Sequence, residues 1–465
     1  MPTVESTWQK QPAPQANEKN ISYKKKLKWA IIDKSRLTKL VDDLRTYNDS
    51  LAGLVPHLQS VTTERLPSII LPRVSDEEII VSIEGASADR YPTLSQAAKF
   101  REVIMNCLSN YSANATGDKW RIENGPIFGL SELFSCYFTG EYLGTRVMVE
   151  RKPIIQQSND FDLTKRVIAL AQLLGEETKP LNFRILNCLG YELTSGSYWF
   201  IFKYPKGADI NTPPTNLARL ISHSKTLSAT GNHCPTASER LQLAHQAALS
   251  LLQIHSVHWL HKDIRPENFI FFRDKGREDY CLTQPWLSGF SYSRPFGAYI
   301  STTLQRRDLT DLYLAPAYKQ FAGSRTRYQK RYDIYSLGLV LFEIGLWDTL
   351  ENCVSITCED CLLGEKNISF HFQIMEPDTG CKFDAAYHFV KNNLHLLDDL
   401  VPAEYKIVVE KCLTGLLPFT STSGDVDIIS GWKEWDDNAD GVGELDQRFT
   451  LEVVQELEKL VVGDG

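Results

Sequence analysis

The spacing of apolar residues changes along this chain in a way that leaves few folds open. After Gly117 it has the texture of strands, and Phe134-Ser135-Cys136-Tyr137-Phe138, a turn at Gly140–Gly144 and Arg146-Val147-Met148-Val149-Glu150 read as an antiparallel hairpin. Asp162 to Leu174 predicts a helix, and Phe183 to Tyr191 and Tyr198 to Tyr204 predict two further strands. The C-terminal half is mostly helical. Thr236 and Glu239 form a capping box for a helix through Leu241, Ala244, Ala248, Leu251 and Leu252. Further helices are expected at Asp333–Leu346, Ala386–Leu396, Ala403–Leu413 and Leu451–Val461, with a mobile loop at Thr420–Asp446. Strands gathered ahead of helices define an α+β fold.

The N-terminal part reads differently. Residues 1–20 offer little to bury and are predicted to be a disordered tail. Leu27, Trp29, Ala30 and Ile31 lead into Leu37, Leu40, Val41, Leu44, Tyr47, Leu51 and Leu54, an amphipathic helix that Pro56 ends. Residues 57–92, with Pro67, Pro72 and Pro92 among β-rich pieces such as Ser68–Leu71 and Ile79–Val81, predict a linker with little regular structure. A helix is expected at Thr93–Asn110, so 21–115 forms a helical extension and linker. The net charge of −8 argues against a general nucleic-acid-binding surface. No run approaches the ~18–20 apolar residues that cross a bilayer, and the N-terminus has no apolar signal region. The ten cysteines are scattered through core-like segments, as reduced thiols of a cytoplasmic protein would be.

The densest chemistry is His258-Trp259-Leu260-His261-Lys262-Asp263-Ile264-Arg265-Pro266-Glu267-Asn268. It resembles the catalytic loop of protein kinases, in which an aspartate orients the substrate hydroxyl and an asparagine five residues later ligates Mg²⁺. Asp263 and Asn268 hold those two places, and Arg265 stands where a lysine usually meets the γ-phosphate. Asp311–Ala317 resembles the end of a kinase activation loop, and Arg331–Gly338 the start of the central helix, whose Asp333 tethers the catalytic loop. The resemblance implies a two-lobed protein-kinase-like fold, with an N-lobe at 116–205, a C-lobe at 206–465 and the N-terminal helical extension ahead of them.

Several positions depart from the family's pattern. Phe269–Phe272 and Tyr280–Leu282 read as the two strands before the magnesium segment, which places Ser288 where the metal-binding aspartate belongs. A hydroxyl is a weak magnesium ligand beside a carboxylate, and Asp279 lies too early to replace it. Glu150 takes the place of the phosphate-binding lysine, and only Lys152 keeps its strand parity. The 162–174 helix has no central glutamate, and Gly129–Leu133 is no glycine-rich phosphate cradle. ATP and magnesium are therefore implied only if the protein is active, with Asn268 the remaining magnesium ligand. Cys353, Cys358, Cys361, His371 and Cys381 have a spacing that can bind zinc or iron–sulfur, although intracellular thiols need no metal.

Leu27–Lys34, Val149–Lys152 and Leu287–Pro295 together are similar to a fungal family of kinase-like domains found behind HeLo-type (prion-inhibition and propagation) helical domains. That resemblance implies a pseudokinase acting as a regulatory or protein-interaction module, with partner contact or self-association through the N-terminal helix. The rivals are an atypical active Ser/Thr kinase and a membrane-acting incompatibility or cell-death effector. Ser288 and Glu150 argue against the first rival. The lack of an apolar helix ahead of residue 21 argues against the second.

Overall fold

The computed structural model describes Lys39 and residues 66–109 (apart from 69 and 75), 119–122, 127–154, 160–175, 179, 183–227 (apart from 195), 234–295, 312–320, 328–353, 385–416 and 443–463. The chain divides into two compact units, Met1–Thr62 and Thr63–Gly465. Within the first, only Lys39 is described, as an exposed helical residue. The expected tail and, apart from Lys39, the expected Leu27–Leu54 helix thus lie outside the described residues.

The second unit opens on helices rather than on the expected linker. A turn at Leu71–Arg73 precedes α1 (Glu77–Ser87) and α2 (Pro92–Ser109), which pack against each other. Asp76 starts α1, its carboxylate accepting the N–H groups of Glu78 at 2.9 Å and Ile79 at 3.4 Å. Glu77 and Glu78 in the first turn suit the helix dipole. This cap overrides the strand preference of Ile79-Ile80-Val81, and Ile80 is buried in the core.

Five strands form one antiparallel sheet: β1 (Phe128–Phe134), β2 (Tyr137–Tyr142), β3 (Thr145–Pro153), β4 (Cys188–Thr194) and β5 (Ser197–Lys203), in the order β1-β2-β3-β5-β4. The expected hairpin is shifted. The turn joining β1 to β2 is Ser135-Cys136, with Phe134 opposite Tyr137, and β2 runs through Gly140 to a second turn at Leu143-Gly144. Ser135 takes the left-handed conformation (φ 50°) that a glycine or asparagine would have announced. Gly129–Leu133 accordingly lies inside β1. Helix α3 (Asp160–Gly175) packs on β4 and on α2, where Phe100 meets Phe183 edge-on at 5.3 Å.

The remaining chain is mainly helical, with α4 (Leu217–Leu227), α5 (Ala237–Ser256), α6 (Pro316–Gln320), α7 (Lys330–Leu346), α8 (Ala385–Asn392), α9 (Ala403–Leu413), α10 (Glu444–Phe449) and α11 (Gln455–Gly463). The capping box of α5 is present: Thr236 Oγ1 accepts the Glu239 N–H at 3.2 Å, and Glu239 accepts the Thr236 N–H at 2.9 Å. The start of α10 falls within the expected mobile loop and corrects its end. Short strands frame the polar loop: β6 (Thr215–Asn216) and β9 (Trp286–Leu287) flank β8 (Phe269–Phe271), and β7 (Trp259–Leu260) pairs with β10 (Arg294–Pro295). Tyr280–Leu282, expected as a strand, makes only a bridge from Tyr280 to Arg273 before a turn.

Helix α7 is buried on all sides from Lys330 to Gly345. Its Glu343 carboxyl accepts the Tyr313 hydroxyl at 2.7 Å and the Leu350 N–H at 2.8 Å, and burial pushes it well above the carboxylate range. No helix among the described residues is long and apolar enough to cross a membrane. Of the cysteine–histidine cluster only Cys353 is described, and it is buried. Among the described residues no three His, Cys, Asp or Glu side chains are grouped to hold a metal.

Candidate functional site

The polar loop hangs between α5 and β8 and is held from below by α7. Asp333 near the start of α7 is fully buried, and it accepts the N–H of His261 at 2.9 Å and of Lys262 at 2.8 Å, as well as the Tyr328 hydroxyl at 2.8 Å. His255 Nε2 lies 3.2 Å from the same carboxylate. Burial pushes this carboxyl up, but the hydrogen bond and charge of His255, the charge of His261 and the Tyr328 hydroxyl outweigh it and hold it below its ordinary range. The tether lets Lys262 keep a left-handed φ of 68°. The Lys262 ammonium lies over the Tyr328 ring at 5.2 Å and the Tyr318 ring at 6.0 Å. That contact joins the loop to the segment ending in α6.

Asp263, Arg265 and Asn268 are brought together. Arg265 Nε lies 3.4 Å from Asp263 Oδ1, and its guanidinium lies over the Tyr313 ring at 5.3 Å. The Pro266–Asn268 turn places Asn268 beneath Asp263, so that Asn268 Nδ2 donates to the Asp263 carbonyl at 2.8 Å. The other end of the amide is also engaged: Asn268 Oδ1 accepts the Tyr137 hydroxyl at 2.9 Å. Burial foremost, then the charge of Glu150, keeps that phenol far above its usual range, so it stays protonated and donates.

Tyr137 is the first residue of β2, directly opposite Glu150 on β3. Both are buried on the core face of the sheet, with Met148. Val147 and Val149 form a second cluster on the opposite face, and Arg151 lies there over Phe138 and Trp199. Lys152 follows the parity of Glu150 and is half-buried. Cys136, in the turn before Tyr137, has its thiol pushed up by burial and by the Glu150 and Asp263 carboxylates, which keeps it a protonated, unreactive group.

Ser288 closes the site from the far side. Its N–H donates to the Asn268 carbonyl at 2.9 Å, and its own carbonyl lies 2.9 Å from His261 Nε2. Gly289 beside it has φ 83°, and a Cβ there would lie 2.3 Å from the Asn268 side chain. Only glycine permits this approach. Phe290 then packs edge-on against His261 at 4.6 Å.

These residues do not suit a magnesium ion, which takes near-octahedral oxygen ligands and favours carboxylates. Asn268 Oδ1 already accepts from a phenol, and Ser288 offers only a neutral hydroxyl. The buried Glu150 carboxylate would repel a nucleotide's phosphates. Sequence reasoning placed Asp263, Arg265, Asn268, Glu150 and Ser288 but missed Tyr137. The available signal was a tyrosine at an inward strand position, whose hydroxyl needs a buried partner.

Residues 2–78 match the family HeLo, prion-inhibition and propagation. The chain is also similar to MAP kinase-activated protein kinase 2 of Drosophila melanogaster, with 31% identity over 113 residues that cover 23% of this chain and 27% of the fly protein. The chain thus spans about a quarter of that relative's length.

Proposed function

We propose that the 116–465 region has a two-lobed protein-kinase-like fold whose site does not transfer phosphate, and that the protein is a regulatory or interaction module behind a HeLo-type N-terminal segment. The observation that carries this reading is the Tyr137–Asn268 hydrogen bond at 2.9 Å, which engages one of the two lone pairs of the oxygen a magnesium ion would use. Ser288 in place of a carboxylate and Glu150 in place of a cation support it from two other directions. The HeLo match and the partial similarity to a protein kinase support the pairing of the two parts. The partner surface is assigned to the N-terminal segment, with a second copy of the chain or another protein as its occupant.

An active, atypical Ser/Thr kinase is the second reading, and the Asp263–Arg265 pair at 3.4 Å favours it. Phosphotransfer decides between the two. Incubated with labelled Mg·ATP and generic protein acceptors, the full chain is expected to transfer no more label than its Asp263→Asn variant. Transfer well above that variant would establish the second reading.

A further inference from the structure

The chain ahead of α1 is clasped to the first residue of the polar loop. Leu71 is fully buried, and the carbonyls of Leu71 and Val74 both accept from the guanidinium of Arg101 on α2, a residue only 3% exposed. Arg101 Nη2 also lies 3.3 Å from His258 Nδ1, while His258 Nε2 lies 3.1 Å from the Pro72 carbonyl. A carbonyl only accepts, so Nε2 carries the proton and Nδ1 accepts from Arg101. The ring of contacts closes with a neutral imidazole. Burial first, then the charges of Lys330 and Arg101, hold His258 well below the usual imidazole range, in keeping with that tautomer. Arg73 adds a tie to the far end of the unit, donating to Gln447 Oε1 of α10 at 2.7 Å.

Two features make this clasp more than packing. The HeLo match runs to residue 78, yet the compact unit that holds the polar loop begins at Thr63. The end of the HeLo-matching stretch therefore folds with the other unit. The residue it grips is also strained: His258 has φ 58°, a left-handed conformation that costs a non-glycine residue about 1–3 kcal/mol unless its surroundings impose it. His258 stands five residues ahead of Asp263 and ten ahead of Asn268, with the short strand β7 between.

We propose that His258 is a positioning residue through which the end of the HeLo-matching stretch sets the conformation of the polar loop. With residues 66–74 docked, Pro72 and Arg101 hold the imidazole and impose the left-handed turn, and the loop keeps Asn268 against Tyr137. With 66–74 withdrawn, His258 loses the Pro72 carbonyl and Arg101 loses its Leu71 and Val74 acceptors, so the turn relaxes and the loop loosens from the sheet. The coupling runs both ways, as any linkage between two sites must. The inference rests on the regulatory reading above, and it states where the N-terminal segment acts.

Hydrogen exchange on the full chain tests it. Arg101→Met removes the clasp, including its contact to His258, while changing no residue of the loop. It is expected to raise exchange at 66–74 and also, by about tenfold, at 259–268, while α7 and α9 stay protected. Faster exchange at 66–74 alone would overturn the inference, because the clasp would then be a local anchor. Should Arg101→Met lose protection in α7 and α9 as well, Tyr137→Phe supplies the answer from the other end. It leaves the clasp intact and is expected to raise exchange at 66–74, and an unchanged pattern there overturns the inference. The exchange readout involves no nucleotide, so a chain that transfers phosphate yet shows this coupling would refute the proposed function and leave the inference standing.

Discussion

Replacing Asp333 with alanine is expected to destabilise the unit by about 3–5 kcal/mol, the range found when one member of a buried charged network is removed. The carboxylate is fully buried and satisfies two loop N–H groups, the Tyr328 hydroxyl and the His255 ring. Its loss strands those donors away from water at about 1–3 kcal/mol each, partly recovered by relaxation. It also releases the tether that keeps Lys262 left-handed. Chemical denaturation of wild type and variant measures the difference, and a shift below about 1 kcal/mol would mean that the loop is held by something else. The wild type carries a pH signature of the same contact. Because the folded carboxyl is held below its ordinary 3.8, its contribution is complete above that value and is lost as pH falls through the lower, folded value. The variant should lack this acid-side loss.

The second large effect is expected at Asp446. Lys330 on α7 donates to Asp446 on α10 at 2.6 Å and to the His255 carbonyl at 3.0 Å, and the two side chains are only 6% and 4% exposed. Asp446→Ala leaves a buried ammonium without its carboxylate, at a cost of about 3–5 kcal/mol. Lys330→Met combined with Asp446→Leu removes both charges and replaces them with apolar volume, which is often neutral or stabilising. The double variant is therefore expected to be more stable than Asp446→Ala alone. Equal loss in both would show that packing at this contact, rather than the stranded charge, sets the cost.

How much of this was legible beforehand depended on how local the cause was. The α5 capping box could be read because its short spacing dictates it, and the Asp333 tether because the resemblance to the kinase central helix implied it. Strand parity likewise put Lys152 on the side of Glu150 and Arg151 on the other. Helix α1 was hidden because four β-branched residues, Ile79, Ile80, Val81 and Ile83, look like strand, and the single residue that decides the matter is Asp76. The Ser135-Cys136 turn was hidden because neither residue signals a positive φ. The Tyr137–Asn268 and Arg101–Pro72–His258 contacts span too much sequence for any pattern to reveal. Arg101 in particular reads as one more charged residue on a surface helix, and burial alone turns it into a clasp.

Calorimetric titration of ATP into the full chain, once with Mg²⁺ and once with EDTA, tests the account of the site most directly. On the proposed reading, with a serine in place of a carboxylate and the Asn268 amide engaged by Tyr137, the two affinities are expected to be weak and to agree within about twofold. Tightening by tenfold or more with Mg²⁺, about 1.4 kcal/mol, would mean that a metal displaces the Tyr137 hydroxyl and that the site is a working nucleotide centre.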